Sequence, residues 1–176
     1  MNKVNFRKEC LEQLKKISTR GSYIKDKLVI KSLYKLISQN NAKTIMLYIP
    51  LGIEVNIYPL IMQLRKENKE LYVPFMEGKS FRLVKYRLPL EKRYFGIKEP
   101  RYSKQKNKKI DIAIIPIVGM DCTCRRIGFG KGMYDRFFEK EIKNIGKIVF
   151  VARKLCYSGY IVTNARDVGA DLVIAP

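Results

Sequence analysis

IDIAIIPIVG (110–119), followed after a short gap by RRIGFGKGMYDRFFEK (125–140), decides the fold of this chain. The first stretch is its most hydrophobic segment, and such a run reads as a buried strand at the centre of a sheet. The second begins as a glycine-rich loop and continues as a helix to about Asn144. Strand, loop and helix in that order form the repeating unit of an α/β protein.

The flanking segments extend the same alternation. Residues 3–18 predict an amphipathic helix, with Val4, Cys10, Leu11, Leu14 and Ile17 at helical spacing. Ser22 is placed to cap a second helix, with Ile24, Leu28, Leu33, Leu36 and Ile37 as its apolar positions, ending near Asn40 and Asn41. TIMLYI (44–49) reads as a buried strand closed by Pro50 and Gly52, and a third helix is expected over about 56–68. LYVPF (71–75) and FRLVKYR (81–87) read as strands, as do KIVFVA (147–152) and DLVIA (171–175). Residues 89–110 hold Pro89, Gly96, Pro100 and the basic run RYSKQKNKK, and read as an irregular loop or flap. The expectation is a single α/β domain over residues 1–176, with a mostly parallel central sheet flanked by helices on both faces.

Composition narrows the function. The 176 residues are ample for one core, and 47% hydrophobic with 30% charged residues excludes a disordered or membranous chain. Thirty-six Lys and Arg against 16 Asp and Glu leave a net charge of +20, so anionic partners are expected. The absence of His excludes His-based triads, His zinc sites and imidazole bases. Of the cysteines Cys10, Cys122, Cys124 and Cys156, only the middle two are close, as C-x-C, so reduced thiols in a cytosolic protein are expected. The N-terminal segment lacks a signal-peptide core and no apolar run is long enough to span a bilayer, which reads as a soluble cytoplasmic protein with no membrane partner.

GFGKGMYDR (128–136) carries the strongest chemical signal. Gly128, Gly130 and Gly132 let the backbone bend tightly and present N–H groups to a phosphate, the following helix start adds its dipole, and Lys131 with Arg125 and Arg126 adds full charge. The run is neither a Walker loop, since Gly132 follows Lys131, nor the G-x-G-x-x-G fingerprint. Asp135, in the first turn of the helix, either offsets the dipole or serves as a Mg²⁺ ligand beside phosphates. Asp167, before the last strand, is placed to reach the same site, whereas Asp171 reads as structural. Glu54, in a loop after a strand, is either a surface charge or a ligand contact. Lys3 and Arg7 share a helical face. FGIKEP (95–100) offers Phe95 as an aromatic platform with Glu99 nearby.

Taken in order, these segments resemble the 5-formyltetrahydrofolate cyclo-ligase family, also called methenyltetrahydrofolate synthetase. The opening K-x-x-[LI]-R pattern appears as Lys3, Phe6 and Arg7, with Phe6 at the apolar position, and the glutamate after the first strand appears as Glu54. F-G-I-x-E-P is intact at 95–100. The long glycine-rich run is met by Pro116, Gly119, Asp121, Arg126, Ile127, Gly128, Gly130, Gly132, Tyr134, Asp135 and Arg136, and the closing D-x-x-x-D by Asp167 and Asp171.

The resemblance implies ATP- and Mg²⁺-dependent cyclisation of 5-formyltetrahydrofolate to 5,10-methenyltetrahydrofolate, with the formyl oxygen phosphorylated on the way. It implies that Lys3, Arg7, Arg126, Ile127, Gly128, Phe129, Gly130, Lys131, Gly132, Met133 and Tyr134 hold ATP. Lys131, Tyr134 and Arg126 would be catalytic, Glu54, Phe95 and Tyr134 would surround the folate, and Asp135 and Asp167 would hold Mg²⁺. The implied partners are ATP and a reduced folate with or without a polyglutamate tail, in a monomer or weak dimer. The sequence departs from the family at Cys124, where a glycine is usual, at Met133, where a second tyrosine is usual, and at Cys156, Val162 and Ala165. Two other readings use the same residues. One is a basic RNA-binding protein, disfavoured because no K/R-G-F/Y-G/A-F-V signature is present; the other is a nucleotide-binding family member without catalysis.

Overall fold

A computed structural model describes residues 2–18, 21–93, 96–104 and 109–176. Its helices are α1 (Lys3–Ser18), α2 (Ser22–Gln39), α3 (Tyr58–Lys66) and α4 (Met133–Glu141), the last continued by a 3₁₀ turn over Ile142–Asn144. A six-stranded sheet is built from β1 (Thr44–Met46), β2 (Glu70–Glu77), β3 (Ser80–Lys85), β6 (Ile110–Pro116), β9 (Ile145–Val151) and β11 (Leu172–Ile174), in the order β11-β9-β6-β1-β2-β3. All neighbours run parallel except β2 and β3, a hairpin that leaves β3 as an antiparallel edge. β4 (Leu90–Lys92) and β5 (Lys98–Pro100) pair antiparallel, and β7 (Gly119–Asp121) lies between β8 (Arg126–Ile127) and β10 (Tyr157–Ser158) in a small third sheet.

The sheet is covered on both faces, which is what a parallel sheet requires. Alternate residues of each strand divide between two cores. Ile45, Leu47, Leu71, Val73, Ile112, Ile114, Val149 and Val151 meet α2 and α3, while Met46, Tyr72, Ala113, Ile115, Ile148 and Phe150 meet Phe137 and Phe138 of α4. A satellite cluster holds α1: Phe6, Cys10 and Leu14 pack on Val118, Ile127 and Cys156. The α/β architecture with a mainly parallel sheet is the one the sequence predicts, and IDIAIIPIVG contributes its interior strand β6.

Several local expectations need correction. Ser22 does not cap α2; the cap is Gly21, in the left-handed region at φ 72°, and Ser22 is the first helical residue. Ile24 and Leu28 are exposed, and α2 buries Asp26 and Val29 beside the expected Leu33 and Ile37. The stretch read as an irregular loop over 89–110 contains the β4–β5 hairpin; Phe95 and residues 105–108 lie outside the described residues. The thiols are not all reduced: Cys10 and Cys156 form a disulfide, tying α1 to the segment before β10, while Cys122 and Cys124 are free and exposed. No helix of the described residues is long and apolar enough to cross a membrane.

Candidate functional site

A cavity of about 270 Å³ opens at the carboxyl ends of the parallel strands, where α/β proteins gather their ligands. Tyr48 and Ile49, which follow β1, and Pro116, which ends β6, form its floor; Pro74, Met76, Phe81 and Ile97 form an apolar wall. Glu54, Arg126, Phe129, Lys131, Gly132, Met133 and Tyr134 complete the lining. The sequence therefore brings its glutamate and its glycine-rich run to one shared space.

Glu54 reaches the cavity because the loop after β1 turns back on itself. Glu54 N–H donates to Leu51 O at 3.0 Å, and Leu51 N–H donates to the Glu54 carboxylate at 2.8 Å. The side chain is buried, and that desolvation raises its pKa to about 7, against the Leu51 hydrogen bond and the cations Arg126 and Arg153. It is thus no surface charge. Burial likewise drives the Tyr134 and Tyr48 hydroxyls well above their usual range, keeping both neutral donors.

Arg126 is 5% exposed, with its Nε donating to Pro116 O at 3.2 Å and its guanidinium 4.6 Å from the Tyr134 ring centre. Burial lowers its pKa, while Tyr134, Asp135, Glu54 and Asp167 act in the other direction. Gly128 is required for this placement: a Cβ there would lie 2.4 Å from the guanidinium. The loop beyond is gripped from both sides. Arg7 Nε donates to Gly128 O at 2.8 Å, and Arg136 donates to Lys131 O and, at 2.6 Å, to Lys79 O. Gly130 and Gly132 adopt φ 96° and 61°, a region that other residues enter at a cost. Lys131 is exposed on the cavity rim.

Asp135 and Asp167 meet beside Arg126. Val168 N–H donates to Asp135 Oδ1 at 3.2 Å and Arg126 N–H donates to Val168 O at 2.8 Å, so the residue next to Asp167 joins all three. Asp167 accepts Asn164 N–H at 2.8 Å and an ion pair from Lys3. Two carboxylates with an ammonium already resting between chain segments suit a hard divalent cation. Among the described residues no cluster of three or more His, Cys, Asp or Glu is present, so the remaining oxygens would come from water and bound phosphates.

The structure thus gathers Lys3, Arg7, Glu54, Arg126, Gly128, Phe129, Gly130, Lys131, Gly132, Met133, Tyr134, Asp135 and Asp167 around one end of the sheet. Ile127 is different: its side chain is fully buried in the α1 cluster and its carbonyl accepts Val118 N–H at 2.9 Å. Phe95 lies outside the described residues, although Ile97 of the same motif lines the cavity. Sequence reasoning missed Tyr48, Pro74, Met76 and Phe81, which look like ordinary core residues of strands. It also missed the buried Asp26–Arg153 pair, for which an acid amid the apolar positions of α2 was the available signal. Asp121 is a staple, its carboxylate accepting hydrogen bonds from Thr123, Val162 and Thr163 and holding the segment that presents Asp167. Cys124, at the position where glycine was expected, keeps a glycine-like backbone at φ 56°.

Such a site, an apolar cleft edged by a cation-rich glycine loop at the end of a parallel sheet, is that of an α/β protein with a ligand pocket at its strand ends. The 5-formyltetrahydrofolate cyclo-ligase family model matches residues 1–176, and the chain belongs to that family of enzymes. It is 28% identical over 178 residues to the 5-formyltetrahydrofolate cyclo-ligase of Mycoplasma pneumoniae, covering 99% of this chain and 98% of that one. It is 35% identical over 109 residues to that of Haemophilus influenzae, a match spanning 57% of this chain and 58% of the relative. The NMR structure of Aquifex aeolicus 5,10-methenyltetrahydrofolate synthetase superposes with a TM-score of 0.79 at 30% identity, over 99% of this chain and 90% of that one. The fold of the Mycoplasma pneumoniae 5,10-methenyltetrahydrofolate synthetase matches with a TM-score of 0.79 at 24% identity, over 99% and 98%.

Proposed function

We propose that this enzyme converts 5-formyltetrahydrofolate to 5,10-methenyltetrahydrofolate, using ATP with Mg²⁺ and releasing ADP and phosphate. The observation that carries the reading is the single cavity shared by Glu54 and the glycine-rich loop. The apolar wall of Phe81, Met76 and Pro74 suits a flat pterin, with Glu54, Tyr134 and Ile97 around it. The loop from Arg126 to Tyr134, with Lys3 and Arg7 behind it, suits a triphosphate.

The formyl oxygen attacks the γ-phosphorus of ATP and ADP leaves. The resulting iminium phosphate is attacked at its carbon by the second folate nitrogen, whose N–H proton passes to solvent; the C–O bond then breaks, phosphate departs with the formyl oxygen, and the ring is closed. No protein nucleophile is required, so the work of the chain is positioning and charge neutralisation. Lys131 and Arg126 offset charge on the transferring phosphoryl group, and the loop N–H groups orient it. Tyr134, kept neutral by burial and stacked under Arg126, holds that guanidinium in place. Asp135 and Asp167 would hold Mg²⁺, which when bound shields phosphate charge. Lys3, which pairs with Asp167 here, would then be available to the nucleotide.

The need for ATP fits a cytoplasmic enzyme. The test mixes purified protein, 5-formyltetrahydrofolate, Mg²⁺ and ATP and follows the absorbance of the methenyl product. Product that requires both ATP and Mg²⁺ is expected. Nucleotide binding with no product would leave a non-catalytic family member, and salt-sensitive RNA binding with no product would favour the RNA-binding alternative.

A further inference from the structure

The loop that carries Glu54 has no regular structure, yet it is fastened on both sides of that residue. Arg153, which follows β9, donates from Nη1 to Gly52 O at 2.7 Å. Asp26, on α2, accepts Asn56 N–H at 3.2 Å. These two side chains also hold each other in a planar fork, Nε to Oδ1 at 2.7 Å and Nη2 to Oδ2 at 2.8 Å, with their side chains 6% and 9% exposed. A third fastening, Tyr48 Oη to Val55 O at 2.8 Å, lies between them.

Burying an ion pair adds little stability by itself, because desolvation offsets most of the attraction, and apolar replacements of similar volume do as well or better. What an apolar pair cannot supply is the two outward hydrogen bonds, and both end on the backbone two residues to either side of Glu54. We propose that Asp26 and Arg153 are positioning residues that hold the 51–56 loop so that the Glu54 carboxyl is presented to the folate end of the cavity. The proposal rests on the reading of Glu54 as a folate contact. It also has an electrostatic side. The charged groups facing Glu54 are Arg126 from β8 and Arg153 from beyond β9, with the neutral hydroxyls of Tyr48 and Tyr134 sharing the pocket. Arg153 is therefore one of two cations that oppose the effect of burial on the Glu54 carboxyl.

Three variants test the idea. Arg153→Lys keeps the charge and loses the fork; Asp26→Asn keeps the shape and loses the charge; Asp26→Leu with Arg153→Met replaces the pair by apolar side chains. In the two single variants KM for 5-formyltetrahydrofolate is expected to rise about tenfold or more, with KM for ATP within about twofold of wild type. The double variant is expected to melt like wild type, to share the weakened folate KM, and to show a raised Glu54 titration by carbon-13 NMR of the carboxyl. A double variant that melts like wild type with an unchanged folate KM and Glu54 titration overturns the proposal. If the double variant does not fold, a folded Arg153→Lys protein with wild-type folate KM overturns it equally. The NMR titration needs no turnover, so wild-type protein that forms no methenyl product would sink the proposed reaction while still reporting whether the pair governs Glu54.

Discussion

The Glu54 carboxyl sits buried in a loop fastened by Asp26 of α2 and by Arg153 beyond β9. Burial has a measurable consequence. A carboxyl raised from 4.5 to about 7 in the fold binds its proton more tightly than in the unfolded chain. The Glu54 contribution to stability is therefore largest below pH 4.5, falls as pH rises toward 7, and levels off above it. Glu54→Gln removes that fall, so the variant is expected to gain up to about 3 kcal/mol relative to wild type between pH 5 and pH 8 in denaturant titrations. Cys124 carries a second residue-scale expectation. Its left-handed backbone costs an ordinary side chain about 1–2 kcal/mol, so Cys124→Gly should raise stability by about 0.5–1 kcal/mol after glycine's own entropy is deducted. In initial-rate assays, Lys131→Ala should raise KM for ATP by about tenfold or more, the loss of one charge-assisted contact. Asp135→Asn should instead shift the Mg²⁺ requirement upward.

Elements were read well where pattern alone decides them. The buried strands and the loop-to-helix passage at 125–140 follow from β-branched runs and clustered glycines. α2 shows where pattern is insufficient: its apolar residues form two overlapping stripes, and tertiary contact selects Asp26, Val29, Leu33 and Ile37 while leaving Ile24 and Leu28 exposed. The β4–β5 hairpin escaped notice because its strands are three residues each and rich in charge. The Cys10–Cys156 link was invisible because its ends are 146 residues apart. It fastens α1, whose Lys3 and Arg7 face Asp167 and the glycine loop. Thiol titration of denatured, unreduced protein should find two reactive thiols, Cys122 and Cys124, and four after reduction. Reduction should lower stability by about 2–4 kcal/mol. Four thiols without reductant would remove the link.

For the whole molecule, the net charge of +20 indicated anionic partners without choosing among them. The choice comes from topology. Parallel strands deliver the loops after β1, β6 and β9 to one end of the sheet, so Glu54, Arg126 and Arg153 converge although more than 20 residues separate any two of them in sequence. That convergence underlies the claim that folate and triphosphate meet in one cavity, with the formyl oxygen as the atom phosphorylated. The most direct measurement uses 5-formyltetrahydrofolate labelled with oxygen-18 in the formyl group, turned over with unlabelled ATP. The account predicts that the label leaves in the inorganic phosphate, one label for each methenyl product formed. Label released as water, with unlabelled phosphate, would contradict it.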